Sequence, residues 1–370
     1  PPAFPRDGGR TVWPQLTRLG RSISAPWQSN AYPGALSRWR QRPSRGWCTD
    51  GSPLRASGSC EPAGRPRFDQ EISPGGYIWW YLDALSNDRH HGLTVIVLLG
   101  SVFSPYYAWS GRRDPLNHCA VNVALYGRGP NLWTMTERRS DVVSRSSKHC
   151  AIGPSTVEWT GTELRLELCE LGNPLPRRIV GRIRLIPEVI TDRHFVLDSK
   201  NRHAWWPIAP RARVEVELRR PALNWSGSGY LDMNAGDEPL EDGFCRWDWS
   251  RADLGDGAAV FYDTTRRDGP NQALSLRFDR SGSVEQFQPL SRQPLPPTPI
   301  WRIKRHTRAN GDEAQIQKTL EDTPFYARSL LHTKVLGEKT TAMHESLSLD
   351  RFSTHWVKGL IPFRNPRVFW

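Results

Sequence analysis

The residues with the most chemical potential crowd between positions 201 and 249. His203-Ala-Trp205-Trp206-Pro is followed by Gly227-Ser-Gly-Tyr230-Leu-Asp232, then by Asp237-Glu238-Pro-Leu-Glu241-Asp242 and Trp247-Asp248-Trp249. In extended backbone, residues two apart point to the same face. His203 therefore shares a face with Trp205, and Tyr230 with Asp232. If both faces line one cavity, the set has a definite chemical meaning. A carboxyl in an apolar pocket resists ionisation and stays protonated near neutral pH, where it serves as a general acid. A proton delivered to an alkene leaves a carbocation. Aromatic faces stabilise such a cation by about 0.5–2 kcal/mol each without attacking it. A histidine there would hold the acid's proton or position a water.

Each residue also has an ordinary reading. His203 would be a hydrogen-bonded structural histidine, Asp232 a turn aspartate beside Gly229 and Asn234, and the tryptophans core packing. The acidic run 237–242 reads as a solvated loop or a helix start. Asp232, Glu238 and Asp248 could supply a glycosidase carboxylate pair, whose separation the sequence leaves open. By themselves these residues support a β-rich ligand-binding domain. Other chemistries have less behind them. Trp225-Ser-Gly-Ser-Gly is a poor nucleophile elbow, and no P-loop or dinucleotide fingerprint occurs. His90-His91 lacks metal-ligand spacing. The six cysteines are scattered, with no C-x-x-C and no zinc spacing, as expected of a reducing compartment.

The elements that must position these residues are strands. Order is expected from Phe68 onward, with strands over 77–82, 94–99, 120–125, 156–159, 163–168, 178–185, 213–218, 300–305, 326–331 and 341–349. Residues 163–168 and 213–218 alternate apolar and charged, so one face is buried and one is wet. No convincing helical period precedes residue 310, apart from a turn or two within 238–251. Many short strands with frequent turns indicate an all-β sandwich or barrel. A domain boundary is placed near Pro221.

The chain has 370 residues and a net charge of +12. Residues 1–67 carry eleven arginines against Asp7, Asp50 and Glu61, so +8 of that charge lies in a tail rich in Pro, Gly and Ser. That composition predicts disorder over 1–66. A basic excess that lies mostly in a tail argues against nucleic acid and for an anionic membrane surface. The longest apolar run, 93–99, is strand-sized, far short of a membrane-spanning helix.

Several strings carry a resemblance. They are Phe68-Asp-Gln-Glu-Ile-Ser-Pro-Gly-Gly-Tyr-Ile-Trp-Trp-Tyr-Leu-Asp83, Gly100-Ser-Val-Phe-Ser-Pro-Tyr-Tyr-Ala-Trp109 and Asp114-Pro-Leu-Asn-His-Cys-Ala-Val-Asn-Val-Ala-Leu-Tyr126. His203-Ala-Trp-Trp-Pro-Ile-Ala-Pro-Arg-Ala-Arg213 and Gly229-Tyr-Leu-Asp-Met-Asn-Ala-Gly-Asp-Glu-Pro-Leu-Glu241 continue it, as do Thr319-Leu-Glu-Asp-Thr-Pro-Phe-Tyr-Ala-Arg-Ser329 and His344-Glu-Ser-Leu-Ser-Leu-Asp-Arg-Phe352. Over residues 67–370 the chain resembles bacterial carotenoid 1,2-hydratases, also called hydroxyneurosporene synthases. Residues 128–149 match only loosely, as a variable loop would.

The resemblance implies two consecutive lipocalin-like β-barrel domains, 67–220 and 221–370, with a hydrophobic cavity near their junction. It implies cofactor-free and metal-free hydration of the C1–C2 bond of acyclic carotenes such as neurosporene and lycopene. In that chemistry an aspartic acid protonates C2, and water captures the tertiary cation at C1. The family's His-x-Trp pair falls on His203 and Trp205, and its Tyr-x-Asp pair on Tyr230 and Asp232. A further substrate-facing tryptophan falls on Trp79 or Trp80, and Trp206 is expected beside the substrate. A membrane-dissolved substrate implies peripheral association with the cytoplasmic side of the bacterial inner membrane. Two alternatives use the same fold: a terpenoid or polyketide cyclase, and a non-catalytic carrier of a hydrophobic ligand.

Overall fold

Tyr77–Ser86, the first strand (β1), is buried at every position. A strand covered on both faces reads as a nearly unbroken apolar run, which is why its sequence does not alternate. Ile78, Trp80, Leu82 and Ala84 enter one core, whereas Tyr77, Trp79, Tyr81 and Leu85 enter another. The fold of this computed structural model follows from those two cores. It describes residues 64–368 apart from positions 130 and 312. The tail expected over 1–66 therefore lies almost wholly outside the described residues.

The first core is enclosed by a twelve-stranded antiparallel sheet. After β1 come β2 (Gly92–Leu99), β3 (Cys119–Tyr126), β4 (Leu132–Arg138), β5 (Val143–Arg145), β6 (His149–Ile152), β7 (Ser155–Trp159), β8 (Leu164–Leu171), β9 (Arg178–Pro187), β10 (Phe195–Val196), β11 (His203–Arg220) and β12 (Ala222–Gly236). The sheet order is β4-β3-β2-β1-β12-β11-β9-β8-β7-β6-β5, with β10 paired to β11. The sheet rolls into a nearly closed barrel. Val97 and Val121 of β2 and β3 meet Ile152, Val157 and Leu166 of β6–β8 across its interior. The buried Arg138–Glu170 pair, at 2.8 Å, joins β4 to β8. Strand β8 alternates buried and exposed throughout, as its sequence period requires.

The second sheet holds seven strands in the order β16-β15-β14-β13-β21-β20-β19. They are β13 (Phe244–Leu254), β14 (Gly257–Arg266), β15 (Gln272–Asp279), β16 (Val284–Gln286), β19 (Gln315–Asp322), β20 (Tyr326–Val335) and β21 (Glu338–Ser348). Between β16 and β19, a hairpin of β17 (Ser291–Leu295) and β18 (Arg305–Ala309) adds Leu295 to a small core with Leu254, Phe261 and Leu331. The other face of this sheet packs on the outer face of β1, β11 and β12. The fold is thus all-β, of the barrel type expected.

Four details differ from the sequence reading. Pro221 stands in the turn between β11 and β12, inside the first sheet; the chain changes sheet between Gly236 and Phe244. The reason is that β12 doubles back along β11 and also pairs with β1. Residues 300–304 form a loop, because Asp322 accepts the Ile300 and Trp301 amides and Thr298 accepts that of Ile303. Residues 128–149 contain strands β4 and β5. A short helix, α1 (Pro105–Trp109), precedes residue 310, started by the Ser104 side chain and Pro105. The expected turn within 238–251 is a single helical turn, α2 (Leu240–Gly243).

Candidate active site

Three neighbouring strands bring the candidate residues onto one face. In the β1–β12 ladder Tyr81 stands opposite Asp232 and Trp79 opposite Asn234. In the β11–β12 ladder Trp205 stands opposite Asn234 and His203 opposite Gly236. Paired residues in a ladder project to the same side. His203, Trp205, Tyr230, Asp232, Trp79 and Tyr81 therefore all leave the outer face of the barrel toward the second sheet. The Gly227-Ser-Gly string is structural: a Cβ at Gly227 would lie 1.9 Å from the Leu85 carbonyl oxygen, so only glycine lets β12 run this close to β1.

Asp232 is the centre of the cluster. It is 3% exposed, and Trp205 and Tyr230 beside it are fully buried. Trp205 Nε1 and the Tyr230 hydroxyl both donate to its Oδ2, each at 2.8 Å. Its Oδ1 is buried with no hydrogen-bond partner among the described residues. Burial pushes the carboxyl up to about 8, against the opposing pull of the Trp205 and Tyr230 donors; the charges of Glu345 and Asp83 push the same way as burial. The group is thus an acid at neutral pH, with one oxygen pinned and the other unbonded. Burial, and then the Asp232 charge, hold the Tyr230 phenol well above its ordinary value, so it remains a donor.

Aromatic rings enclose this acid from both sheets. Trp249 lies 5.3 Å from Tyr230 and 5.5 Å from Tyr81. Tyr262 lies 5.2 Å from Trp205 and donates to Asn234 Oδ1 at 3.3 Å. Trp247 approaches Trp79 at 6.2 Å. Behind Tyr230, Arg251 of β13 binds Asp83 of β1 at 2.6 and 2.8 Å, both side chains buried. Its guanidinium lies 5.7 Å from the Tyr230 ring centroid. This ion pair clamps the two sheets together beside the acid.

His203 belongs to the same face but not to the carboxyl's immediate shell. Its Nδ1 meets the Tyr77 hydroxyl at 2.9 Å, and its Nε2 lies 3.4 Å from Glu238 Oε1. His203 and Arg202 hold the Glu238 carboxyl down to about 2, with His203 the larger influence. Trp79 joins the aromatic cluster. Trp80 and Trp206 do not: both point into the first barrel, where Trp80 packs on Phe68 and Trp206 donates to the Thr191 carbonyl at 2.8 Å. Adjacent strand residues point to opposite faces, so neither Trp79-Trp80 nor Trp205-Trp206 can line one cavity together.

The same rule divides Trp247-Asp248-Trp249. Both tryptophans reach the site, while Asp248 faces away toward Ser346, Arg292 and the His306 amide. A glycosidase pairing of Asp232 with Asp248 is therefore ruled out, and Glu238 is tied to Arg202 and His203. In the acidic run, Glu241 is buried on Arg112 and Lys358 rather than solvated. Sequence reasoning missed Tyr81, Tyr262, Asn234 and Glu345. The spacing Tyr77-x-Trp79-x-Tyr81 carried a signal for the first, and Asn234 continues Tyr230-x-Asp232. The other two belong to strands whose partner sheet the sequence did not reveal.

This arrangement can do acid chemistry on an apolar substrate: one neutral carboxylic acid among faces suited to a cation. Comparison with known proteins agrees. The chain is 53% identical over 371 residues to an acyclic carotenoid 1,2-hydratase of Thiocapsa roseopersicina, covering 99% of this chain and 92% of the relative. It is 46% identical to the acyclic carotenoid 1,2-hydratase of Rubrivivax gelatinosus, covering 99% and 91%. Among solved structures, an AttH protein of Nitrosomonas europaea superposes with a TM-score of 0.52 at 14% identity, covering 74% of this chain and 92% of that one, which is a likeness of fold. Residues 95–369 match the model of the carotenoid hydratase CrtC family, and the chain belongs to that family.

Proposed function

We propose that this protein adds water across the C1–C2 double bond of acyclic carotenes such as neurosporene and lycopene. The observation that carries the reading is Asp232, neutral at physiological pH, pinned through Oδ2 and unbonded at Oδ1. The Oδ1–H bond breaks as the alkene π pair forms a new C2–H bond, leaving a tertiary cation at C1. The faces of Trp205, Tyr230 and Trp249 stabilise that cation, at about 0.5–2 kcal/mol for each well-placed ring. Water forms the C1–O bond, and its surplus proton returns the site to its starting state. A site screened from bulk solvent protects the cation while it waits for the one water that adds. The names of the two relatives support the same reaction.

The test is conversion of lycopene by the purified protein in water enriched in oxygen-18. A product heavier by one labelled water is expected. A rearranged product of unchanged mass would favour a cyclase, and bound but unchanged carotene a carrier.

We also propose that the protein works as a peripheral protein at the cytoplasmic face of the inner membrane, where its substrate is dissolved. Exposed Ile300, Phe363, Trp109 and Trp356, together with the basic charge excess, support this. Sedimentation with vesicles of mixed zwitterionic and anionic lipid should carry the protein down. Failure to bind in low salt would contradict it.

A further inference from the structure

A second polar locus adjoins Asp232, and the chemistry above leaves it unused. Tyr81 stands directly opposite Asp232 in the ladder, so both side chains leave the sheet at one point. Its hydroxyl is buried and has no hydrogen-bond partner among the described residues. Its ring lies 6.2 Å from Tyr230 and 5.5 Å from Trp249. Glu345 stands opposite Trp249 in the second sheet's ladder, so these two side chains also leave their sheet at one point.

Arg328, itself buried, fixes Glu345 in place. Its Nε and Nη2 both donate to Oε1, at 2.9 and 2.8 Å, and no described residue bonds Oε2. The third arm, Nη1, binds Glu321 at 2.5 Å, and the guanidinium lies 5.6 Å from the Tyr81 ring centroid. Glu345 is the largest charge acting on the Tyr81 phenol and also acts on Asp232. Two buried polar atoms here lack partners among the described residues, Asp232 Oδ1 and Tyr81 Oη, and Glu345 offers the partly exposed Oε2 nearby. A bound water needs two to four polar partners of this kind. A cleft of about 170 Å³, lined by Tyr126, Leu132, Trp133, Leu320, Glu321 and Arg364, lies against the outer end of this network. Tyr126 and Glu321 belong at once to the cleft and to the Arg328 network.

We propose that Tyr81 and Glu345 hold the nucleophilic water, with Glu345, anchored by Arg328, as the base that takes its proton. The inference rests on the hydration reading and assigns the half of the reaction that Asp232 does not perform. As the water oxygen bonds to C1, one O–H bond breaks and its proton passes to Oε2 of Glu345. Relayed through bound water, the Tyr81 hydroxyl then gives its proton to the Asp232 carboxylate and receives the one held by Glu345. Every group returns to its starting state, and one water has been added with no other reactant.

The experiment separates protonation from capture by running the reaction in deuterium oxide with lycopene. It reads both hydrated product and deuterium in the recovered carotene. A cation that fails to meet water loses a proton and returns labelled alkene. Tyr81→Phe and Glu345→Gln should each lower hydration roughly 100-fold, the scale of general acid–base catalysis, while label still enters the recovered carotene. Asp232→Asn should abolish both. Tyr81→Phe removes an oxygen with no partner, so its fold is preserved and it decides the matter alone if Glu345→Gln, which disturbs a buried ion pair, does not fold. Unchanged hydration in Tyr81→Phe, or joint loss of hydration and labelling, would overturn the proposal. Absence of both signals in the unmodified protein would instead count against hydration itself.

Discussion

Trp205 donates its indole N–H to Oδ2 of Asp232 across the β11–β12 ladder, and Tyr230 donates to the same oxygen. Two donors on one carboxylate oxygen would ordinarily favour ionisation. Burial outweighs them and leaves the acid near 8. The donors orient the group; the dry surroundings keep it protonated.

The pH dependence follows directly. The reactive form is protonated, so the rate should be steady through neutrality and fall about tenfold per unit above about pH 8. Stability runs in the same sense. The folded value lies above the ordinary carboxylate value near 3.9, so the neutral group favours folding below that value. The advantage is lost as pH rises toward 8, at roughly 1.4 kcal/mol per unit. Asp232→Asn should lack this component. Rate profiles and thermal melts at several pH values check both; a rate that climbs past pH 9 contradicts the assignment.

Tyr230→Phe deletes one donor and keeps the ring. Losing a bond that favours the ionised form should move the alkaline limb to higher pH, while looser positioning lowers the rate about tenfold. A limb that moves to lower pH would show that the hydroxyl does not act on Asp232.

His203 should behave as a positioning residue. It is held by Tyr77 and Glu238 rather than by Asp232, and a Cβ at Gly243 would lie 2.6 Å from its Nε2. Gly243→Ala should therefore mimic His203→Ala, with a reduced rate and an unshifted alkaline limb. A shifted limb in His203→Ala, read from the rate profile, would place the imidazole in the proton path.

Trp79 and Trp80 offer a contrast within one dipeptide. Trp80→Ala opens the barrel core and should cost about 3–5 kcal/mol of stability, with normal turnover per folded molecule. Trp79→Ala should impair turnover instead, because its ring faces the site. Denaturant melts paired with rates normalised to folded protein distinguish them; equal effects on turnover would contradict the division of faces.

Much of this was legible in the chain, for stated reasons. Alternation at 163–168 and 213–218 marks strands with one wet face, and those strands are β8 and the latter half of β11. The two-residue spacings of His203 with Trp205 and of Tyr230 with Asp232 correctly predicted shared faces. That all four share a single face depends on the β11–β12 register, which the spacing between the pairs does not encode. Trp79 and Trp80 were indistinguishable because a strand buried on both sides loses its alternation. The loop at 300–304 is apolar enough to resemble a strand, and only the Asp322 and Thr298 side chains show otherwise. Glu345 carries no local signal, since its relation to Asp232 exists only once the second sheet packs on the first.

The central claim is that Asp232 supplies the proton. The most direct test compares carotenoids from lycopene-producing cells expressing the protein or its Asp232→Asn variant, by chromatography with mass detection. Soluble, cooperatively melting variant must be confirmed alongside. The account predicts a product heavier by one water with the unmodified protein and none with the variant, whose amide has no acidic proton to give. Hydrated product from the folded variant at the unmodified level would contradict it.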